Sequence, residues 1–168
     1  MGAARSSKPM SDDASPVRSL LIPVSGEDIL LPGAVVAEVT GYVEPEGDGS
    51  PDEGVIGTAT WRGQRLPVAA LTGLGEEGQR EPGARARLVV LKGVSNHPEL
   101  PYFGIVADDI PRPLSVQAQT IESLSHDDLP EGMLACVLAN GEPAYIPDVE
   151  ALEAKVHRAL ARESKVQG

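Results

Sequence analysis

The stretch VIGTATWRGQRLPVAAL, Val55 to Leu71, holds the only tryptophan of a 168-residue chain that is 3% aromatic. Val55 and Ile56 open a strand that runs through Trp61, Gly63 supplies the permissive backbone of a tight turn, and Leu66 to Val68 return antiparallel. A lone tryptophan in such a strand reads as a core residue, filling space that small side chains leave. Strand alternation then sends Arg62 to the opposite face, outward beside the turn as a rigidly held contact.

The same strand-turn-strand rhythm extends in both directions from this hairpin. Upstream, LLIPVSGEDILLP (Leu20 to Pro32) has two apolar runs separated by Ser-Gly-Glu-Asp, a hairpin signal, with Pro23 pointing to an edge or a bulge because it lacks a donor. AVVAEV (Ala34 to Val39) follows as a further short strand. Downstream, Gly-rich residues 72 to 84 read as a linker or long loop. RLVVLK, YFGIVAD, a weaker segment around Leu114 and Val116, MLACVLA and PAYI then read as strands at the spacing of small barrels. The last element changes period: Asp148 caps a helix in which Val149, Leu152, Val156 and Leu160 line one face. Residues 1 to 18, rich in Ser, Asp, Pro and Ala, are predicted to be a disordered leader, and 161 to 168 a flexible tail.

Composition narrows the function. The core must be built from Val, Ile, Leu and Ala, which suit pleated surfaces. Twenty-five acidic against fourteen basic residues give a net charge of −11, which repels phosphate backbones and argues against nucleic acid as a partner. Glu44, Glu46, Asp48, Asp52 and Glu53 concentrate that acidity in one loop at 43 to 54. Cys136 stands alone, so neither a disulfide framework nor a thiol zinc cluster is available. No secretory h-region and no run of about 18 apolar residues is present, which predicts a cytoplasmic protein without membrane insertion.

Chemistry is hard to assemble from these residues. His97, His126 and His157 lie far apart, none with a second ligand at the spacing of a helical metal site, so no metal is expected. His126-Asp127-Asp128 reads as a polar turn. Alternation points Asp108 and Asp109 to opposite faces, which keeps them from sharing a proton. No G-x-S-x-G occurs, Cys136 sits in an apolar strand as an inert thiol, and the Gly-rich stretches lack the lysine of a phosphate loop. No catalytic residue and no cofactor is predicted; the weight moves to binding.

At this point the residues match a known family. The order of segments resembles the CheW-like family, adaptors of bacterial chemosensory arrays, over about residues 19 to 155. LLIPVSGEDILLP matches its opening hairpin, AVVAEV its apolar-Val-x-Glu-Val segment, and the Trp61 stretch its glycine, Arg-Gly and Pro-Val-x-x-Leu signature. GIVADDI and AYIPDVEALE match two later segments. The resemblance implies a mainly β fold, two intertwined five-stranded SH3-like barrels with a C-terminal helix. The domain is expected over 19 to 160, its first barrel mainly at 30 to 84, its second mainly at 85 to 135, and the terminal segments completing the body.

The resemblance also implies a non-enzymatic adaptor that binds the cytoplasmic hairpin of a methyl-accepting chemoreceptor and the regulatory domain of a CheA-like histidine kinase, at membrane-associated arrays. Carried over by motif, Val36, Glu38, Gly57 and Arg62 match receptor-coupling positions. Thr60-Trp61-Arg62-Gly63 replaces the family's usual Asn-Leu-Arg-Gly. That departure resembles the divergent, ChpC-like type that accompanies type IV pilus and twitching control. Two other functions compete: an RNA-processing or ribosome-assembly barrel, which the charge disfavours, and an enzyme whose loop carboxylates Asp48, Asp52 and Glu53 hold a divalent ion.

Overall fold

A computed structural model describes residues 16–47, 54–71, 83–95, 97–117, 121–124 and 129–167. Its strands are β1 (Val17–Val24), β2 (Glu27–Pro32), β3 (Val36–Gly41), β4 (Val55–Trp61), β5 (Gln64–Ala69), β6 (Arg87–Lys92), β7 (Tyr102–Ala107), β8 (Arg112–Val116), β9 (Ile121–Ser123), β10 (Met133–Ala139) and β11 (Glu142–Pro147). A 3-10 turn covers Gly33–Val35, and helix α1 covers Val149–Gln167. The strands form two sheets, in the orders β8-β1-β2-β11-β10-β9 and β3-β6-β7-β5-β4.

Three apolar clusters explain why the chain takes this form. One is the interior of the five-stranded sheet, built of Ala59, Trp61, Leu66, Val68, Leu88 and Val90. Leu21, Leu30, Val116, Ala139 and Ala144 make the interior of the six-stranded one. The largest cluster joins both sheets to the helix, with Ile22, Ile29, Val89, Leu91, Phe103, Ile105, Leu152 and Val156 among its members. Strands in the middle are therefore buried on both faces, alternate residues entering different clusters: Leu88 and Val90 go one way, Val89 and Leu91 the other. This is why RLVVLK and DILLP read as continuous apolar runs and not as alternating ones.

The two sheets divide the chain differently from the expected split at residues 84 and 85. β6 and β7 lie between β3 and β5, so β3 to β7 form one sheet, while β1 and β2 join β8 to β11 in the other. The five-stranded unit is thus a single excursion from a sheet that the chain leaves after Pro32 and re-enters at Arg112. The Gly-rich stretch that suggested a boundary connects β5 to β6 within one sheet; residues 72 to 82 lie outside those described. One barrel also carries the short extra strand β9, too brief to leave a periodic signal.

Smaller differences have local causes. The predicted leader lies outside the described residues except at its end, where Val17 and Arg18 already pair with Val116 and Ser115 of β8. β1 is not an edge strand, yet its pairing to β8 stops at Leu21, and Pro23 sits in the overhang beyond it. There the Pro23 carbonyl turns away from β2 and accepts from Asp108 N–H at 2.8 Å. The predicted tail is helical, α1 continuing through Gln167, because ARESKVQ contains no Gly or Pro to stop it. Its start is as expected: Asp148 Oδ1 accepts from Ala151 N–H at 3.0 Å, an N-cap.

Candidate functional site

Three hairpins turn on two residues with positive φ: Ser25-Gly26 (52° and 83°), Arg62-Gly63 (51° and 76°) and Asn140-Gly141 (52° and 83°). Two-residue turns with both φ positive match the twist of antiparallel strands, and Asn-Gly is their favoured sequence. Arg62 is the outlier, since a long side chain gains nothing from the left-handed region and pays its steric cost. What surrounds it accounts for its retention. Arg62 Nη2 lies 3.0 Å from Glu38 Oε1, and the guanidinium lies 5.0 Å from the centroid of the Trp61 ring. Trp61 Nε1–H donates to the same Glu38 oxygen at 3.0 Å, and Tyr102 meets the indole edge-on with centroids 5.0 Å apart.

Trp61 is buried, 7% exposed, as a core residue should be. Arg62 is not on the opposite face. Alternation ends at Trp61 because Arg62 is the first turn residue, and its side chain folds back over the indole. It stays 69% exposed, while the Glu38 side chain is 35% exposed. Guanidinium, indole and carboxylate therefore form one neutral, layered group at the hairpin tip, with most of the guanidinium edge open to solvent.

Glu38 reaches this group because β3 is irregular. Its register to β6 shifts between Val36, opposite Leu91, and Glu38, opposite Val90, so Ala37 is an extra residue. Without the bulge, Val36 and Glu38 would share a face. With it, Val36 packs against the cluster between the sheets, Ala37 against the Trp61 cluster, and Glu38 turns to the indole N–H. Sequence reasoning named Glu38 and Arg62 but had no signal for their contact, because a bulge leaves no mark in hydrophobic alternation.

Gly57 has a different role from a surface contact. It is buried under the chain at Pro45 and Glu46: Glu46 N–H donates to Thr58 O at 2.7 Å and Thr58 N–H to Glu46 O at 2.9 Å. A Cβ on Gly57 would stand 2.7 Å from Glu46 O and 3.1 Å from Pro45 Cβ. Only glycine lets the start of the acidic loop cross β4 here. Glu44 and Glu46 are described; Asp48, Asp52 and Glu53 lie outside the described residues.

Two further places bring polar or ionisable side chains together. A cavity of about 140 Å³ opens where α1 meets the end of β5 and the residues before β10, lined by Ala70, Leu71, Gly132, Ala151 and Leu152, with Lys155 and Glu131 paired at 3.1 Å. None of Val36, Glu38, Gly57 or Arg62 lines it. At the other end of the helix's first turns, His97, Glu99 and His157 come together, although the sequence predicts no metal ligand set. The ligands come from a loop and a helix, so no local spacing could have exposed them. Asp108 and Asp109 keep separate partners, Gly26 N–H for one and Arg85 with Ile110 N–H for the other. Ile110 N–H, then Arg85, holds the Asp109 carboxyl below its ordinary range. Cys136 is buried in β10, and His126-Asp127-Asp128 lies outside the described residues. Among the described residues no helix is long and apolar enough to cross a membrane.

Comparison with known proteins bears on this arrangement. A sequence search of curated proteins gives no match. Among solved structures, the scaffolding protein TtCheW from Thermoanaerobacter tengcongensis superposes with a TM-score of 0.65 at 17% identity, over 82% of this chain and 87% of that one, and thus shares the fold of two SH3-like barrels. The family model described as "CheW-like domain" matches residues 18–156, from the second residue of β1 to Val156 in α1 and so across both sheets. The chain belongs to the CheW-like domain family.

Proposed function

We propose that this protein is a non-enzymatic adaptor that couples methyl-accepting chemosensory receptors to a CheA-like histidine kinase, and that the Arg62 hairpin tip is part of its receptor-facing surface. Family membership over both barrels supports the adaptor class. The observation that carries the site is Arg62 itself: an unfavourable residue for a left-handed turn, held over Trp61 and against Glu38, with its side chain 69% exposed. Strain kept at an exposed position, where Asn or Gly would fold as well, points to selection for something outside the fold.

The chemistry suits a helical protein partner. A guanidinium pinned by one carboxylate and one aromatic face has lost much of its rotamer freedom before binding, so its remaining donors reach a carboxylate or carbonyl at reduced entropic cost. Val36, half-buried at the start of β3, adds an apolar contact. Each interface can be modest, about 800 Å² per partner or less, because an array engages many copies together. Such a protein works in the cytoplasm at membrane-associated arrays. Replacement of the usual Leu by Trp61 favours the divergent type that serves type IV pili and twitching over flagellar control.

Co-sedimentation of receptor-containing membranes with kinase tests the reading. Arg62→Glu, folded as judged by circular dichroism, is expected to lose co-sedimentation with receptor. Full retention of both partners by that variant overturns the assignment of the hairpin tip.

A further inference from the structure

The loop between β6 and β7 and helix α1 meet at a cluster that the adaptor reading does not use. His97 and His157 stack with ring centroids 4.0 Å apart and planes 17° from parallel, and His157 Nε2 lies 3.7 Å from Glu99 Oε1. One potential ligand atom from each of His97, Glu99 and His157 lies within 4.8 Å of the others. We propose that His97, Glu99 and His157 form a binding site for a first-row divalent cation of the zinc type, which would fasten the β6–β7 loop to the C-terminal helix.

The frame around these ligands is built. Gly93 N–H donates to Pro101 O at 2.8 Å, closing the base of the loop, and Leu100 N–H donates to His97 O at 3.0 Å, which fixes the backbone that carries two of the three ligands. Glu153, fully buried, accepts Val94 N–H at 2.8 Å and Ser95 N–H at 3.2 Å. It stands one helical turn before His157, so the carboxylate that anchors the loop also sets the third ligand's position relative to it. Gly93 leaves room for this contact, since a Cβ there would stand 2.7 Å from Leu100 O and 3.1 Å from Glu153 Oε2.

The donor set selects the ion. Two imidazoles and a carboxylate suit zinc and its neighbours, whereas magnesium and calcium need all-oxygen shells. Near-parallel rings cannot both aim in-plane lone pairs at one ion, so binding requires each imidazole to rotate about its side-chain bonds. His157, at 30% side-chain exposure, and His97, half-buried, have room for that rotation. Three protein ligands leave a further coordination position open to solvent.

The test uses the full chain at neutral pH in a non-chelating buffer and is independent of receptor or kinase binding. Calorimetric titration with zinc chloride is expected to show one equivalent bound, with no heat from magnesium or calcium. Cobalt(II) is expected to give visible d-d absorption that zinc displaces. His97→Gln, His157→Gln and Glu99→Gln should each weaken zinc by at least about tenfold, by analogy with the loss seen when even supporting residues are removed, while His126→Gln should not. Absence of both zinc heat and cobalt absorption from the unaltered protein overturns the proposal, whatever the variants do. So does a stoichiometry that survives in the folded His97→Gln/His157→Gln protein.

Discussion

Two glutamates of this chain do opposite work, and their surroundings explain why. Glu153 is fully buried on α1 and accepts two backbone N–H groups of the β6–β7 loop. Backbone donors cannot walk away, so this carboxylate is committed to the fold. Glu38 is part-exposed on a bulged strand and takes an indole N–H and a guanidinium from a hairpin tip. One of those partners, Arg62, is a surface side chain held in place but 69% exposed. Burial and the kind of donor, not the residue type, separate a carboxylate committed to the fold from one left at the surface.

Three substitutions put that contrast to the test. The largest effect is expected at Trp61, which belongs to both worlds: its ring fills the interior of the five-stranded sheet while its N–H serves Glu38. Trp61→Ala should cost about 3–5 kcal/mol through the cavity it leaves, read as a lowered midpoint in urea denaturation. Next comes Glu153→Ala, which strands the Val94 and Ser95 N–H groups. A loss of about 1–3 kcal/mol follows from removing the charged acceptor of two part-buried backbone donors, and hydrogen exchange should show those two amides losing protection first. An unchanged exchange pattern there would remove the anchoring role. Smallest is Arg62→Ala: an exposed ion pair contributes about 0–1 kcal/mol, so thermal unfolding should barely move. A melting loss at Arg62 equal to that at Trp61 would erase the distinction between tip and core.

The helix deserves comparison with the hairpin on the same terms. α1 is capped by Asp148 and buries Val156 completely, so its amphipathic stripe is part of the core. Along that face the buried Glu153 interrupts the apolar spacing, and nothing in the period of the sequence marks it as buried. A charged residue among Leu152 and Val156 looks like the edge of a solvated face until the loop that covers it is known.

How much was legible in the residues follows the range of the interactions. Strand positions could be read closely: RLVVLK and MLACVLA coincide with β6 and β10, because apolar runs bounded by turn residues carry local information. The cap and stripe of α1 were equally local. The partition into sheets was not, since β6 pairs with β3 across the whole Trp61 hairpin, and a Gly-rich connection looks the same within a sheet as between two. At the candidate site, motif order named Glu38 and Arg62, but only the bulge at Ala37 and the positive φ of Arg62 bring them into contact.

Local residue patterns are enough to fix a strand-rich, acidic protein closed by one helix, with turns at Ser-Gly-Glu-Asp and at Gly63, because turn chemistry and apolar period act between neighbours. Only the long-range packing shows which strands share a sheet, that the chain at Pro45 and Glu46 crosses over Gly57, and that His97, Glu99 and His157 converge. Each of those outcomes depends on groups from separate segments of the chain whose meeting is set by burial of a common core, and no local pattern encodes it.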